Sequence, residues 1–286
     1  LKTRLWLIFA ILTTLFWGVW GALIEIPEKN GFPATLGYSV WALTMIPCAL
    51  IALGLQGWKL EGGKRRVLLG CLVGLTGAGG QLLLFQTLRL GPAYLIFPII
   101  SLYPVLTVGL AYWLLHERAK TRTWVGVMLS FPAIGLLSYQ PPGNAAATSH
   151  WWFAMAAVVF VLWGLQAYVM KFATGLMSAE SLYFYMMISA VALIPGALLM
   201  TDFHQPINWT FSGPGYAALI QVLNSIGALM LVYALRHGKA LVVVPMTSLA
   251  PVLTVILSLL LYKLVPHPVV ISGIVFASIA IVLMAE

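Results

Sequence analysis

Charge is what this chain has least of. Asp, Glu, Lys and Arg make up 8% of its 286 residues and hydrophobic residues 62%, where a soluble domain averages roughly 25% charged. A chain so poor in charge cannot cover a water-facing surface, so its solvent is expected to be lipid. Acid is scarcer than base, with seven Asp and Glu against fifteen Lys and Arg. The acids Glu25, Glu28, Glu61, Glu117, Glu180, Asp202 and Glu286 all fall away from the middle of the apolar runs. The intramembrane carboxylate relay typical of a proton pump is therefore missing. Cys48 and Cys71 are the whole cysteine complement and both lie inside apolar runs. That argues against a structural disulfide, and neither has a metal or redox motif beside it. There is no P-loop, no G-x-S-x-G and no His/Cys/Asp cluster at metal-ligand spacing. An enzyme, an ATP-driven pump and a cofactor-bearing protein are thus not expected. Net charge of +8 does not make a nucleic-acid binder either, because the bases sit in connections and form no basic domain.

What is present is apolar length. A spanning helix needs about 20 mostly apolar residues, and ten stretches qualify: 5–26, 34–55, 67–88, 93–115, 122–140, 151–171, 179–200, 213–235, 240–263 and 267–285. The run after Lys2 and Arg4 is too long for a signal-peptide core and lacks a small-residue cleavage site, so it reads as a retained helix. Short connections carry Pro or Gly punctuation, as at Gly91-Pro92 and Gln140-Pro141-Pro142-Gly143. With the N-terminus inside, twelve Lys and Arg fall on the inner side and only Lys29, Arg89 and Lys263 on the outer. The positive-inside rule then predicts that both termini face the cytoplasm.

The chain is also two copies of one unit. Residues 88–108 (LRLGPAYLIFPIISLYPVLTV) and 235–255 (LRHGKALVVVPMTSLAPVLTV) are identical at 12 of 21 positions, at an offset of 147. Phe16-Trp17-Gly18 matches Leu162-Trp163-Gly164 at an offset of 146. Five spans per copy is an odd number, so the second copy enters the membrane from the opposite side. Residues 1–144 and 145–286 are expected to be inverted repeats of an all-α polytopic membrane protein. Such repeats typify secondary transporters, with the solute site at mid-bilayer between them.

These residues resemble the drug/metabolite transporter superfamily, EamA type. The resemblance rests on the Trp-Gly pair in the first span of each half and on Gly91-Pro92-Ala93…Pro98-x-x-Ser101-Leu102-x-Pro104-Val105-Leu106-Thr107, followed by Leu114-Leu115-x-Glu117-Arg118. It implies that spans 1, 3, 4, 6, 8 and 9 surround a central cavity for a small-molecule solute. It also implies that spans 5 and 10 lie at the periphery, where they can form a homodimer, and that the host is a bacterial plasma membrane. Glu117-Arg118 aligns with Leu264-Val265, so the second half departs from the pattern there.

Polar side chains inside the spans are the candidates for solute binding, because they are costly in lipid unless they face a wet interior. Gln221, Asn224, Ser225 and Ala228 follow i, i+3, i+4, i+7 and share one helix face. They serve equally as interhelical hydrogen bonds. Gln81 is a midspan amide beside the Gly70/Gly74/Gly77 stripe. Trp17, Trp20, Trp163 and Gln166 present large apolar faces with polar edges. Tyr94, Ser101 and Ser248 lie near Pro98 and Pro245, which free backbone carbonyls or act as hinges. Glu25 at the outer end of span 1 is the sole plausible coupling group, with Arg89 as its outer-gate partner. An amide-and-aromatic lining suits a neutral or zwitterionic metabolite such as an amino acid, nucleoside or sugar. An exporter of drugs and a non-transporting scaffold or sensor are the alternatives.

Overall fold

The computed structural model describes residues 5–91, 96, 99–116, 118, 120–137, 151–262 and 267–284. Among them all regular structure is helical, as it must be in lipid, where only a helix or a closed barrel satisfies its own backbone. In chain order the elements are α1 (Leu5–Leu23), α2 (Glu25–Lys29), α3 (Ala34–Leu55), α4 (Lys64–Leu90), α5 (Pro104–Leu114), α6 (Thr121–Leu137) and α7 (Trp151–Thr174). There follow α8 (Ala179–Ala192), α9 (Ile194–Leu199), a π turn (Phe211–Gly215), α10 (Tyr216–His237), α11 (Ala240–Thr247), α12 (Ala250–Tyr262) and α13 (Pro268–Met284). Among the described residues six runs are long and apolar enough to cross a membrane: Leu5–Lys29, Ala34–Leu55, Lys64–Leu90, Trp151–Thr174, Ala179–Leu199 and Phe211–His237.

The stretches 93–115 and 240–263 depart from expectation. Neither is one continuous helix. The chain turns at 101–103 before α5 and at 248–249 between α11 and α12. Pro104 and Pro251 stand just after these turns, in the first turn of α5 and α12. A proline is welcome there because it has no N–H to offer the turn before it. Pro245 lies inside α11, so the break falls after it. Pro98 lies outside the described residues.

On α1 and α4 small and polar residues lie among those turned inward, and aliphatic residues line the outward face. On α1, Ile8, Ile11 and Leu15 are exposed at helical spacing while Ala10, Thr13 and Trp20 are buried. On α4, Leu68, Leu72 and Leu75 face out, and Gly70, Gly74, Gly77 and Gln81 face in. Lipid rewards no burial of leucine, so close backbone approach and hydrogen bonds must hold helices together.

Those contacts join each repeat to the other. Trp17 Nε1 donates to the Asn224 carbonyl, and its repeat mate Trp163 donates to the Gly77 carbonyl, both at 3.3 Å. Thr254 Oγ1 donates to the Gly18 carbonyl at 3.0 Å, and Thr107 Oγ1 to the Gly164 carbonyl at 2.9 Å. The glycines let these helices meet. A methyl on Gly227 would stand 2.6 Å from Trp17, and one on Gly80 2.6 Å from Trp163. Thus α1 packs on α10 and α12 of the other repeat, while α7 packs on α4 and α5. The pairing also sets direction. Phe9, near the start of α1, stacks on Tyr233 with ring centroids 5.1 Å apart. Lys171, near the end of α7, donates to the Leu235 and Gly238 carbonyls at 2.9 and 2.7 Å. The start of α1 and the end of α7 therefore share one end of the molecule, so the two helices run in opposite directions.

At the edge, α6 and α13 pack on each other within the one chain. Part of the surface expected to dimerise is thus used inside the monomer. Cys48 and Cys71 are free thiols.

Candidate functional site

The crossed frame encloses a cavity of about 100 Å³ between the two repeats. The first repeat supplies Trp17 and Trp20 from α1, Trp41 and Met45 from α3, Gln81 from α4, and Ser101 and Tyr103 from the turn before α5. The second supplies Trp163 and Gln166 from α7, Asn224 from α10, and Thr247, Ser248 and Thr254 around the α11–α12 break. Among the described lining residues there is no Asp, Glu, Lys, Arg or His. Four tryptophans and a tyrosine bring aromatic rings to the wall.

The local folding of each element explains these positions. The α4 stripe of glycines brings α7 close, so that Trp163 and Gln166 lie over Gly80 and Gly77. The two chain breaks bring Ser101 and Ser248 to the cavity at the ends of interrupted helices, and the Tyr103 hydroxyl lies within hydrogen-bonding reach of Thr247 and Ser248. Trp20 Nε1 donates to Gln221 Oε1 at 3.0 Å, which pins its ring. Gln81, Asn224 and Trp41 are 4, 5 and 6% exposed. Gln81 Nε2, Asn224 Nδ2 and Trp41 Nε1 are buried donors with no hydrogen-bond partner. A buried polar group left unpaired costs about 1–3 kcal/mol, so three such groups at one cavity are a departure that calls for a cause. Among the described residues no three His, Cys, Asp or Glu side chains assemble as a metal site.

A model of the EamA-like transporter family matches residues 4–139 and again 150–285, once for each repeat. This chain belongs to that family. It is thereby a multi-pass membrane protein of the drug/metabolite transporter superfamily. An uncharacterized protein of Methanocaldococcus jannaschii is 30% identical over 131 residues, 46% of this chain and 93% of that protein. Protein LicB of Haemophilus influenzae is 24% identical over 184 residues, 62% of this chain and 61% of LicB. A solved crystal structure superposes with a TM-score of 0.71 at 16% identity, over 97% of this chain and 95% of the other. At that identity the last likeness speaks to fold alone.

Within this EamA-family frame the sequence candidates divide. Trp17, Trp20, Gln81, Ser101, Trp163, Gln166, Asn224 and Ser248 line the cavity. Gln221 and Ser225 lie outside that lining. The polar face of α10 is wider than the cavity, so its flanks meet neighbouring helices instead. Gln221 serves Trp20, while the Ser225 hydroxyl pairs with Thr44 Oγ1 at 2.8 Å and its carbonyl accepts from Tyr183 at 2.8 Å. Tyr94 lies outside the described residues. The expected outer gate also reads differently. Glu25 is paired with Lys29 at 2.8 Å, one helical turn along, and Arg89 donates to Gln86 Oε1 at 3.2 Å. Both residues sit at the end of the molecule, away from the cavity lining.

Trp41, Tyr103 and Thr254 were not expected in the lining. Thr254 had a legible signal, since it repeats Thr107 within the 21-residue match. Trp41 had only its spacing: Tyr38, Trp41 and Met45 share one face of α3, and all are buried.

Proposed function

We propose that this protein is a secondary transporter that carries a small, net-neutral polar metabolite by alternating access through the central cavity. Both termini would lie in the cytoplasm, in the plasma membrane of a prokaryotic cell. The observation that carries the reading is the uncharged, aromatic and amide-lined cavity walled by both repeats. An ion bearing net charge would be buried there without a counter-charge, which is strongly unfavourable. Strongly anionic phosphosugars and cationic drugs fit it poorly for that reason. The paired chain breaks before Pro104 and Pro251 support the motion. Each interrupts a helix at the cavity, so each half can tilt there without bending a continuous hydrogen-bonded rod.

Counterflow in proteoliposomes tests the reading. Vesicles preloaded with pooled amino acids, sugars or nucleosides would be given labelled members of each pool. Saturable uptake with one pool is expected. Folded protein that gives no uptake with any pool removes the metabolite-carrier reading.

A further inference from the structure

Resting on the carrier reading above, we propose that the side-chain N–H groups of Trp41, Gln81 and Asn224 form a carboxylate subsite for a small zwitterion. The three residues come from α3, α4 and α10 and border one cavity. Each is more than nine-tenths buried, and each has a donor nitrogen without a partner. Gln81 and Asn224 also carry amide oxygens, but the buried atoms left unpartnered are N–H donors, and the group that satisfies them must accept. A carboxylate is that group, with two oxygens, about four lone-pair sites and no hydrogen to place. Amide torsions of Gln and Asn are soft, so Nε2 and Nδ2 can swing toward a bound anion at little cost.

Other residues of the lining have the opposite polarity. Thr247 and Ser248 both commit their hydroxyl hydrogens to the Val244 carbonyl, at 3.0 and 2.9 Å, and Thr254 commits its own to the Gly18 carbonyl at 3.0 Å. The Tyr103 hydroxyl can take one of the Thr247 and Ser248 oxygens, and the others remain as acceptors. An ammonium group can use those acceptors and the faces of Trp17, Trp163 and Tyr103. A cavity with neutral donors on one set of helices and neutral acceptors at a helix break holds both ends of a zwitterion and leaves no net charge uncompensated.

The test is binding to the purified full-length protein in detergent, followed by tryptophan fluorescence and calorimetry. The probes are glycine, L-alanine, L-serine and L-proline, with alaninamide (no carboxylate) and propionate (no ammonium) as analogues. At least one zwitterion is expected to bind, with alaninamide and propionate at least tenfold weaker than L-alanine. Trp41→Phe, Gln81→Leu and Asn224→Leu should each weaken the zwitterion about tenfold. If no zwitterion binds, or alaninamide matches alanine, the subsite is wrong. Three folded variants all within twofold of the parent would also overturn it. Should a variant not fold, the analogue series on the parent protein decides. Counterflow separates the two levels. Binding with this carboxylate dependence but without flux would sink the carrier and keep the subsite. Flux of solutes that lack a carboxylate would do the reverse.

Discussion

The two repeats are alike where backbone meets side chain and unlike where side chain meets the cavity. Trp17 on Gly227 and Trp163 on Gly80 make the same contact and the same 3.3 Å hydrogen bond to the opposite repeat. Thr254 and Thr107 repeat a second bond to within 0.1 Å. At the same depth, α10 carries Gln221, Asn224 and Ser225 where α4 carries Gly74, Gly77 and Ala78, and α4 carries Gln81 where α10 has Ala228. A bond aimed at a backbone carbonyl does not depend on the side chain that residue bears. The frame can therefore stay symmetric while the lining diverges to suit an asymmetric solute.

The strongest way to break the shared part is to fill the glycines. Gly227→Ala and Gly80→Ala each drive a methyl into a tryptophan ring, and overpacking of this kind costs about 1–3 kcal/mol. Both should lower the melting temperature in detergent by similar amounts, and pairing Gly227→Ala with Trp17→Leu should restore part of the loss. A drop in one repeat alone would show that the frame is not energetically symmetric. Next comes the unshared part. Asn224→Ala and Gln81→Ala should cut saturable uptake about tenfold with little change in melting, since each nitrogen removed has no protein partner to lose. Equal losses of uptake and melting temperature would reassign both residues to packing.

Smaller effects are expected from Thr107→Val and Thr254→Val. Each removes one interhelical bond, worth about 0.6–2 kcal/mol in a membrane protein, and thermal melts should show two matched shifts. The smallest contrast lies at the ends. Glu61 accepts from Ser178 N at 2.8 Å and lies 3.7 Å from Arg66. Asn208, which follows Glu61 by the repeat offset, links its own backbone and amide to Gly31 and Asn30 at 2.9 and 2.8 Å. Glu61→Gln should cost about 1 kcal/mol or less and shrink with added salt. Asn208→Ala should show no salt dependence. A salt effect at both positions would erase the distinction between a charged and a neutral latch.

Much of the frame was legible in the residues. The Trp-Gly pairs and the 21-residue match name the helices that exchange contacts, because a duplicated interface must conserve both of its partners. Trp163, Asn224 and Gln81 were legible as lining because polar or amphipathic groups in lipid need an interior. Trp41 was not, since an apolar span full of large residues gives no sign of which one faces inward. The Glu25–Lys29 pair was available from i, i+4 spacing alone.

Composition, run length and internal repetition thus determined by themselves a duplicated, many-helix membrane protein with an uncharged interior. Those properties follow from the cost of charge and of unpaired backbone in hydrocarbon, which is paid residue by residue along the chain. Which flank of α10 reaches the cavity, where the spans near Pro104 and Pro251 break, and which donors are left without partners were decided only by tertiary packing. These depend on what the opposite helix offers at a given height: Trp20 for Gln221, Thr44 for Ser225, and no acceptor for Asn224 Nδ2.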